Sequence, residues 1–396
     1  MAELYKLRNH IRHYEWGSRE YIPRLLGLPA GGKPWAEMWM GSHAASPSAV
    51  CLPSGETSLA ELISGDPPRY LGGQTARRYG GLPFLFKLLA AGKPLSIQAH
   101  PNLALAREGF ARENAAALPL DAPTRNYKDP NHKPELICAL SPFTGICGFR
   151  DPAEIQRLVA AFLDTAPGAL REGLAPLLKA PVLELFFSAL FSLPPGTRRT
   201  LTEYILAAHE PSGPGEWDLM RNFARLYPGD PGIIAPLYLN VFRLEPGEAV
   251  FLKAGTLHAY ISGFGVELMA NSDNVLRGGL TSKHVDLPEL MKALDFSPSA
   301  PEIIRPVGFT YPVFCEEFSL RVLYGPADFR PDSPSICIVT EGEAAAGDSG
   351  DTVLTQGESA FIPPAGESIT LRGRFTMYIA STGSAAECGA ARENSR

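Results

Sequence analysis

The hydrophobic period of this chain changes twice along its length, and those changes limit the possible fold more than any other feature. Residues 1–150 read as short apolar runs broken by Gly and Pro, as in "GLPFLFKLLAAGKPLSIQAH", with a short helix at "SLAELISG". From residue 151 apolar residues recur at helical spacing through "DPAEIQRLVAAFLDTAPGALREGLAPLLKA", "TRRTLTEYILAAHE" and "GEWDLMRNFARLYPGD". Asp151-Pro152 supplies a cap and first turn there, and Pro214-Gly215-Glu216 is placed to open a further helix. Strand character returns at "LYLNVFRLEPGEAVFLKAGTLHAYISGFGVELMA", where Leu237, Leu239 and Val241 alternate. "DLPELMKALDF" is one more short helix, with Asp286 as N-cap and Pro288 in its first turn.

After residue 300 come "FSLRVLYG", "SICIVTEGEA", "DTVLTQGESAFIPPAG" and "SITLRGRFTMYIAS", short strands with Gly/Pro turns between them. That rhythm belongs to a β-sandwich or jelly roll. "PGEAVFLKAGTLHAY" and "QGESAFIPPAGESIT" share a Gly-Glu turn, a short apolar strand and a second turn, the shape of one unit of a cupin barrel occurring twice. The first copy carries His258 and the second, near Glu367, carries no histidine. The expected fold is therefore mainly β with an α insertion. A cupin or jelly-roll β-barrel catalytic domain takes residues 1–150 and 232–300, a helical insertion takes 151–231, and a second jelly-roll-like β domain takes 301–396. The closing "SAAECGAARENSR" is small and polar and should fray.

A chain of 396 residues, 45% hydrophobic, can bury the cores of two or three domains. Its net charge of −6, with no long run of Lys or Arg, argues against nucleic acid or an anionic membrane surface as main partner. No apolar h-region opens the chain, and no apolar stretch reaches the roughly 18 residues of a bilayer span. The six cysteines are scattered without a CxxC pair, as expected of reduced thiols in a cytoplasmic protein.

Three stretches carry side chains that this background does not explain. In "LSIQAHPN" a period of two puts Ser96, Gln98 and His100 on one face, opposite Leu95, Ile97 and Ala99. In "YKDPNHKPELICAL" Pro134 biases Lys133 to extended geometry, so Lys133 and Glu135 point the same way. A carboxylate directly before "LICAL" needs a partner, and an ion pair with Lys133 is the plainest one. In "TLHAYISGFGVELMA" a hairpin turned by Ser262–Gly265 would set Tyr260 opposite Glu267 and His258 opposite Met269. Together Gln98, His100, Glu135 and His258 form an N₂O₂ set with one negative charge. It suits a borderline divalent cation, zinc first, with manganese, iron or cobalt as alternatives. A polar barrel interior without metal is the competing reading.

The same stretches resemble the type I phosphomannose isomerases. "YKLRNHIRHYEWGS", "PWAEMWMGSHAASPS", "LPFLFKLLAAGKPLSIQAHPN", "YKDPNHKPELICAL" and "GTLHAYISGFGVELMANSDNVLRGGLTSKHVD" follow one another in the family's order. "SIQAHP", "HKPE" and "NSDNVLRGGLT" are the most specific, and the likeness weakens across the insertion and the C-terminal third. The resemblance implies one zinc ion on Gln98, His100, Glu135 and His258, and Arg277 as an active-site arginine. It also implies Ser96, Lys133, Tyr260 and Glu267 as pocket residues, and no position departs from the family pattern. Trp16, Trp35, Glu37 and Trp39 read as core and pocket wall, His10 and His43 as structural.

The family's reaction, mannose 6-phosphate to fructose 6-phosphate, opens the sugar ring and moves a proton between C2 and C1 through a cis-enediol. Zinc would act as a Lewis acid on the enediolate charge. Two bases are available: Glu267, a carboxylate that burial could tune, and Lys133, whose neutral form nearby cations favour. The residues lean to Lys133, with His132 assisting ring opening. Arg277, Lys128 and Lys283 are candidates for the substrate phosphate, with stabilisation of the enediolate as the alternative role of Arg277, and Ser96 is a candidate for phosphate or a sugar hydroxyl. No GxxxxGK[ST] loop points to nucleotide chemistry. An iron cupin oxygenase would want a His-rich facial set, which Gln98 fits poorly. A non-catalytic sugar-phosphate-binding cupin could dispense with Lys133, Glu267 and Arg277, yet all three are present. An isomerase acting on another sugar phosphate is the remaining alternative. A monomer is expected, with a homodimer as the alternative.

Overall fold

The strand His258–Ala270 is the hub of the molecule. It pairs antiparallel with Phe84–Ala91 along one edge and, on the other, first with Phe143–Phe149 and then with Glu135–Ala139. Ile97–Ala99 joins it at His258 through Gln98. The computed structural model describes residues 3–52, 55–207, 216–347 and 352–383, and among these the strands form two ten-stranded sheets. The protein is thus mainly β with helices, as the changes of period require.

No hairpin interrupts the hub strand at Ser262–Gly265, contrary to the sequence expectation. His258 lies opposite Cys147 and Gln98, Tyr260 opposite Gly145, and Glu267 opposite Lys87 and Ile137. The register slips between Tyr260 and Ser262, and Gly263 takes φ +123 just beyond. A bulge of this kind resets the alternation by one residue. Even-numbered His258 and Tyr260 therefore share a face with odd-numbered Glu267, the grouping that the hairpin was invoked to explain.

Alternation divides the buried side chains between two cores. Phe84, Phe86, Leu88 and Ala90 pack with Phe318, Leu320, Ile336, Phe361 and Tyr378 between the sheets. Leu89 and Ala91 face the opposite way with Ile137, Phe143 and Tyr260. Five helices, from Pro152–Asp164 to Glu216–Leu226, fill the expected helical stretch. Their apolar stripes share a core with Ile97, Ala99, Ile146 and Leu276, closing the outer face of the site sheet. Asp151 caps the first by accepting from the Ala153 amide at 2.9 Å, and Asp286 caps Leu287–Ala293 through the Glu289 amide. Ser58 and Glu61 make a full capping box on Leu59–Gly65.

The first 150 residues hold more helix than their punctuation indicates, namely Tyr21–Leu25, Pro67–Tyr79 and Leu103–Ala115. Asp66 and Asn102 cap the last two. The Gly72-Gly73 pair hides the first of those two, because Gly72 breaks its helical geometry. Tyr5–Arg8, Ala49–Leu52 and Gly55–Ser58 extend the sheet built by the strands after residue 318. The two related turn-and-strand units become Ala249–Leu252 and Ser359–Ile362, one in each sheet. Pro214, Gly215 and the tail 384–396 lie outside the described residues. Among the described cysteines all are free thiols, with Cys51 exposed and the rest buried. No described helix is long and apolar enough to cross a membrane.

Candidate active site

Ile97 and Ala99 bury themselves against the helices, which turns the side chains between and after them toward the other face of the sheet. That placement carries Gln98 and His100 to Glu135, at the start of Glu135–Ala139, and to His258, at the start of the hub strand. His100, Glu135 and His258 are each 1% exposed, and their ligand atoms all lie within 4.8 Å of one another. Gln98 is the register partner of both His258 and Arg277.

The chemistry of these donors fits a divalent cation. His100 Nδ1 donates to the Asn274 carbonyl at 2.7 Å, and His258 Nδ1 donates to the Thr256 carbonyl at 2.9 Å. A carbonyl can only accept, so in each neutral ring the proton sits on Nδ1 and Nε2 keeps its lone pair. Both Nε2 atoms and Glu135 Oε2 are buried with no hydrogen-bond partner, although the nitrogens lie 3.2 and 3.3 Å from the Glu135 carboxylate. Burial, reinforced by the Lys133 charge, pushes His100 down to about 4, so it is neutral near pH 7. Burial opposes ionisation of Glu135, but Lys133 and the imidazoles outweigh it and hold the carboxyl well below its ordinary value. Three converging donors orphaned in a dry site would be costly without a ligand.

Lys133 Nζ lies 2.5 Å from Glu135 Oε1, so the two share one direction, as Pro134 implies. The other base candidate, Glu267, accepts from Lys87 Nζ at 3.0 Å, with Glu37 3.6 Å from the same ammonium. Trp39 donates to Glu37 at 2.7 Å. Burial works against the Lys87 charge, but Glu267, Glu37 and Glu135 overcome it and hold the ammonium above its ordinary range. Burial and the crowding of carboxylates push Glu267 up, although Lys87 pulls the other way. Among the described residues Glu37, Glu135 and Glu267 form ion pairs with Lys87 and Lys133, a carboxylate-rich lining that a cation would suit. Burial and the Glu135 and Glu267 charges raise Tyr260 well above its ordinary value, so its hydroxyl remains a donor.

Sequence reasoning passed over Lys87 and treated Glu37 as pocket wall. The signal for Lys87 was available, because a lone ammonium in "FLFKLLAA" sits in a strand buried at every position and lysine is seldom buried without carboxylates. Arg277, Lys283 and Lys128 form a separate cationic group. Burial lowers Arg277; burial, then Arg277 and Lys128, lower Lys283. Like charges in mutual reach disfavour one another's charged forms. Ser96 is half-buried beside Leu95, whose amide donates to the Tyr260 carbonyl at 2.9 Å.

His132 is held by a residue remote in sequence, Glu317, at 2.8 Å. Burial alone would raise the Glu317 carboxyl, but His132 and then Cys315 hold it below its ordinary value. A carboxyl lowered on folding contributes stability that is complete above its unfolded value and is lost as pH falls through the folded one. Glu317→Gln should therefore lower Tm near neutral pH, with the gap closing only as pH falls below the ordinary carboxyl range and through the lowered folded value. Thermal melts of both proteins from pH 3 to 8 would check this, and a gap that is the same at every pH would contradict it.

Residues 4–152 match the family model described as phosphomannose isomerase type I, catalytic domain. The chain is 41% identical over 384 residues to the mannose-6-phosphate isomerase of Escherichia coli K12, covering 93% of this chain and 97% of that one. It is 43% identical over 373 residues to the enzyme of the same name from Salmonella typhimurium LT2, covering 90% and 94%. The chain belongs to the type I phosphomannose isomerases. A zinc-bound mannose 6-phosphate isomerase structure superposes with TM-score 0.88 at 36% identity, over 96% of this chain and all of that one. The Salmonella typhimurium enzyme bound to substrate, fructose 6-phosphate, and zinc gives 0.87 at 36% identity over the same shares. Family membership accounts for the order in which the sequence stretches meet at the hub strand.

Proposed function

We propose that this chain interconverts mannose 6-phosphate and fructose 6-phosphate, with one zinc ion held by Gln98, His100, Glu135 and His258. The observation that carries this reading is the buried, converging and otherwise unpartnered set of His100 Nε2, His258 Nε2 and Glu135 Oε2, in a chain related over almost its whole length to enzymes of that name. When bound, zinc supplies Lewis-acid stabilisation of negative charge on substrate oxygens.

In this reading Arg277, Lys283 and Lys128 receive the phosphate, their unbalanced charge matching a dianion, and Ser96 donates to phosphate or to a sugar hydroxyl. Tyr260 donates its phenolic hydrogen within the pocket. His132, oriented by Glu317, assists ring opening. Lys133 moves the proton between C2 and C1, and Glu267 holds Lys87 and sets the field around the reacting carbons. The fold that carries the site is a cupin-type jelly roll. The proposed domains are 1–150 with 232–300, the insertion 151–231, and 301–396, with the three N-terminal strands donated to the C-terminal sheet. The protein acts as a cytoplasmic monomer on a small sugar phosphate.

The test is turnover of mannose 6-phosphate before and after chelation, with zinc added back. Chelation should abolish activity and zinc should restore it. Turnover that survives complete metal removal, or protein that is inert with zinc bound, would overturn the reading; inert protein would favour another sugar phosphate or a binding role.

A further inference from the structure

We propose that Asn274 is a positioning residue that ties the metal ligand His100 to the loop bearing Lys128, His132 and Lys133. The proposal rests on the zinc-isomerase reading above and concerns how its two halves, ligand shell and loop, are kept in register.

From Ala116 to Pro134 the backbone forms neither helix nor strand, so side chains must hold it. Asn274 is wholly buried and every polar group it owns is used. Its backbone carbonyl accepts from His100 Nδ1 at 2.7 Å, which fixes the ring's tautomer and direction. Its Oδ1 accepts from the Lys128 amide at 2.7 Å and the Asp129 amide at 3.3 Å. Its Nδ2 donates to the Asp129 carbonyl at 2.8 Å and the Asn131 carbonyl at 2.9 Å. Two acceptor sites and two donors exhaust a primary amide.

The residues around it complete a clamp between the turn 271–274 and the loop. The Asp273 amide donates to Asp129 Oδ2 at 2.7 Å, and Asn131 Nδ2 donates to the Asn271 carbonyl at 3.3 Å. The Ala270 amide donates to the Pro134 carbonyl at 3.1 Å, immediately after Lys133. Three residues beyond Asn274 lies Arg277, the register partner of Gln98. One residue thus stands where the ligand strand, the lysine loop and the arginine strand meet, its backbone carbonyl on His100 and its side chain on the loop. Only an amide serves there, because the same residue must accept from two N–H groups and donate to two carbonyls.

A second buried clamp on the same loop separates positioning from simple loop stability. Glu113 accepts from the Tyr127 amide at 2.9 Å and the Asn126 amide at 3.2 Å, and pairs with Arg125 at 2.9 Å, with no bond to the ligand shell. The experiment compares full-length Asn274→Ala and Glu113→Gln by Tm of the metal-free protein, zinc affinity in chelator competition, and kcat at saturating zinc. Both variants should melt earlier. Asn274→Ala keeps the carbonyl that His100 bonds but cuts it loose from the loop, so this variant alone should bind zinc more weakly, within the about 10–100-fold typical when a partner of a ligating histidine is disturbed, and its kcat should stay low when zinc is saturating. Equal zinc affinity in the two variants, whether both retained or both weakened, would overturn the proposal. If Asn274→Ala does not fold, the isosteric Asn274→Asp keeps the acceptors and the carbonyl to His100 but loses the two donors. Its zinc affinity should hold while kcat falls, and an unchanged kcat would overturn the proposal. Wild-type protein that neither binds zinc nor turns over would instead remove the parent reading, and this one with it.

Discussion

His258→Ala should abolish zinc binding and isomerase activity together while leaving the fold in place. The imidazole supplies one of the two ring-nitrogen donors of the described cluster, and its Nδ1 is already fixed on the Thr256 carbonyl. Removing it leaves His100, Glu135 and Gln98, a set with one good nitrogen donor and too few ligands for a tight zinc site. Disturbing the partner of a ligand costs about 10–100-fold in metal affinity, so losing the ligand itself should cost more than about 100-fold. The strand should persist, because its ladder is made by backbone groups running through Ala270. A buried truncation of this kind typically costs about 1–3 kcal/mol, which a domain of ordinary stability survives. Metal content by elemental analysis, with turnover on the same sample, checks the prediction. Activity retained in a metal-free His258→Ala protein would sink the zinc mechanism.

The ligand set was legible because each member breaks a local rule. Gln98 and His100 are polar residues on a strand whose other face is apolar, and Glu135 is a carboxylate at the head of a buried run. His258 opens a strand buried at every position but one. Lys87 breaks a rule just as plainly, but a single exception leaves the apolar character of its strand intact. The hub strand shows a different limit. Local turn chemistry at Ser262–Gly265 is real, since Gly263 does take a left-handed φ, but it produces a bulge in a continuous strand. Only the pairing partners distinguish a bulge from a hairpin, and those lie more than a hundred residues away. Pairing of Tyr5–Arg8 with Ser359–Ile362 is equally invisible to local periodicity. Asn274 and Glu317 escaped for that reason too: each acts on a loop about 140 or more residues distant, so no spacing within a window could reveal it.

Lys133→Met should lower kcat by about 10²–10⁴, the usual contribution of a general base, with zinc still bound. The two buried bases differ in how free each is to meet the substrate. Glu267 is held by Lys87 at 3.0 Å and lies directly across the sheet from it, on two rigid central strands. Lys133 sits on the irregular loop before Pro134, and its ion-pair partner among the described residues is Glu135. Glu135 is also the carboxylate of the proposed ligand set, so a bound cation would share its charge and leave Lys133 freer to meet the sugar. Glu267→Gln should weaken activity less, because Lys87 keeps Glu37 at 3.6 Å and the strand pairing is untouched. Kinetics alone could confuse lost base with lost binding, so the deciding measurement is exchange of the substrate C2 hydrogen with deuterated solvent. Lys133→Met should retain zinc and substrate affinity yet show no exchange, and Glu267→Gln should still exchange. The reverse pattern would transfer the proton to Glu267 and leave Lys133 as a guard on the charge of Glu135.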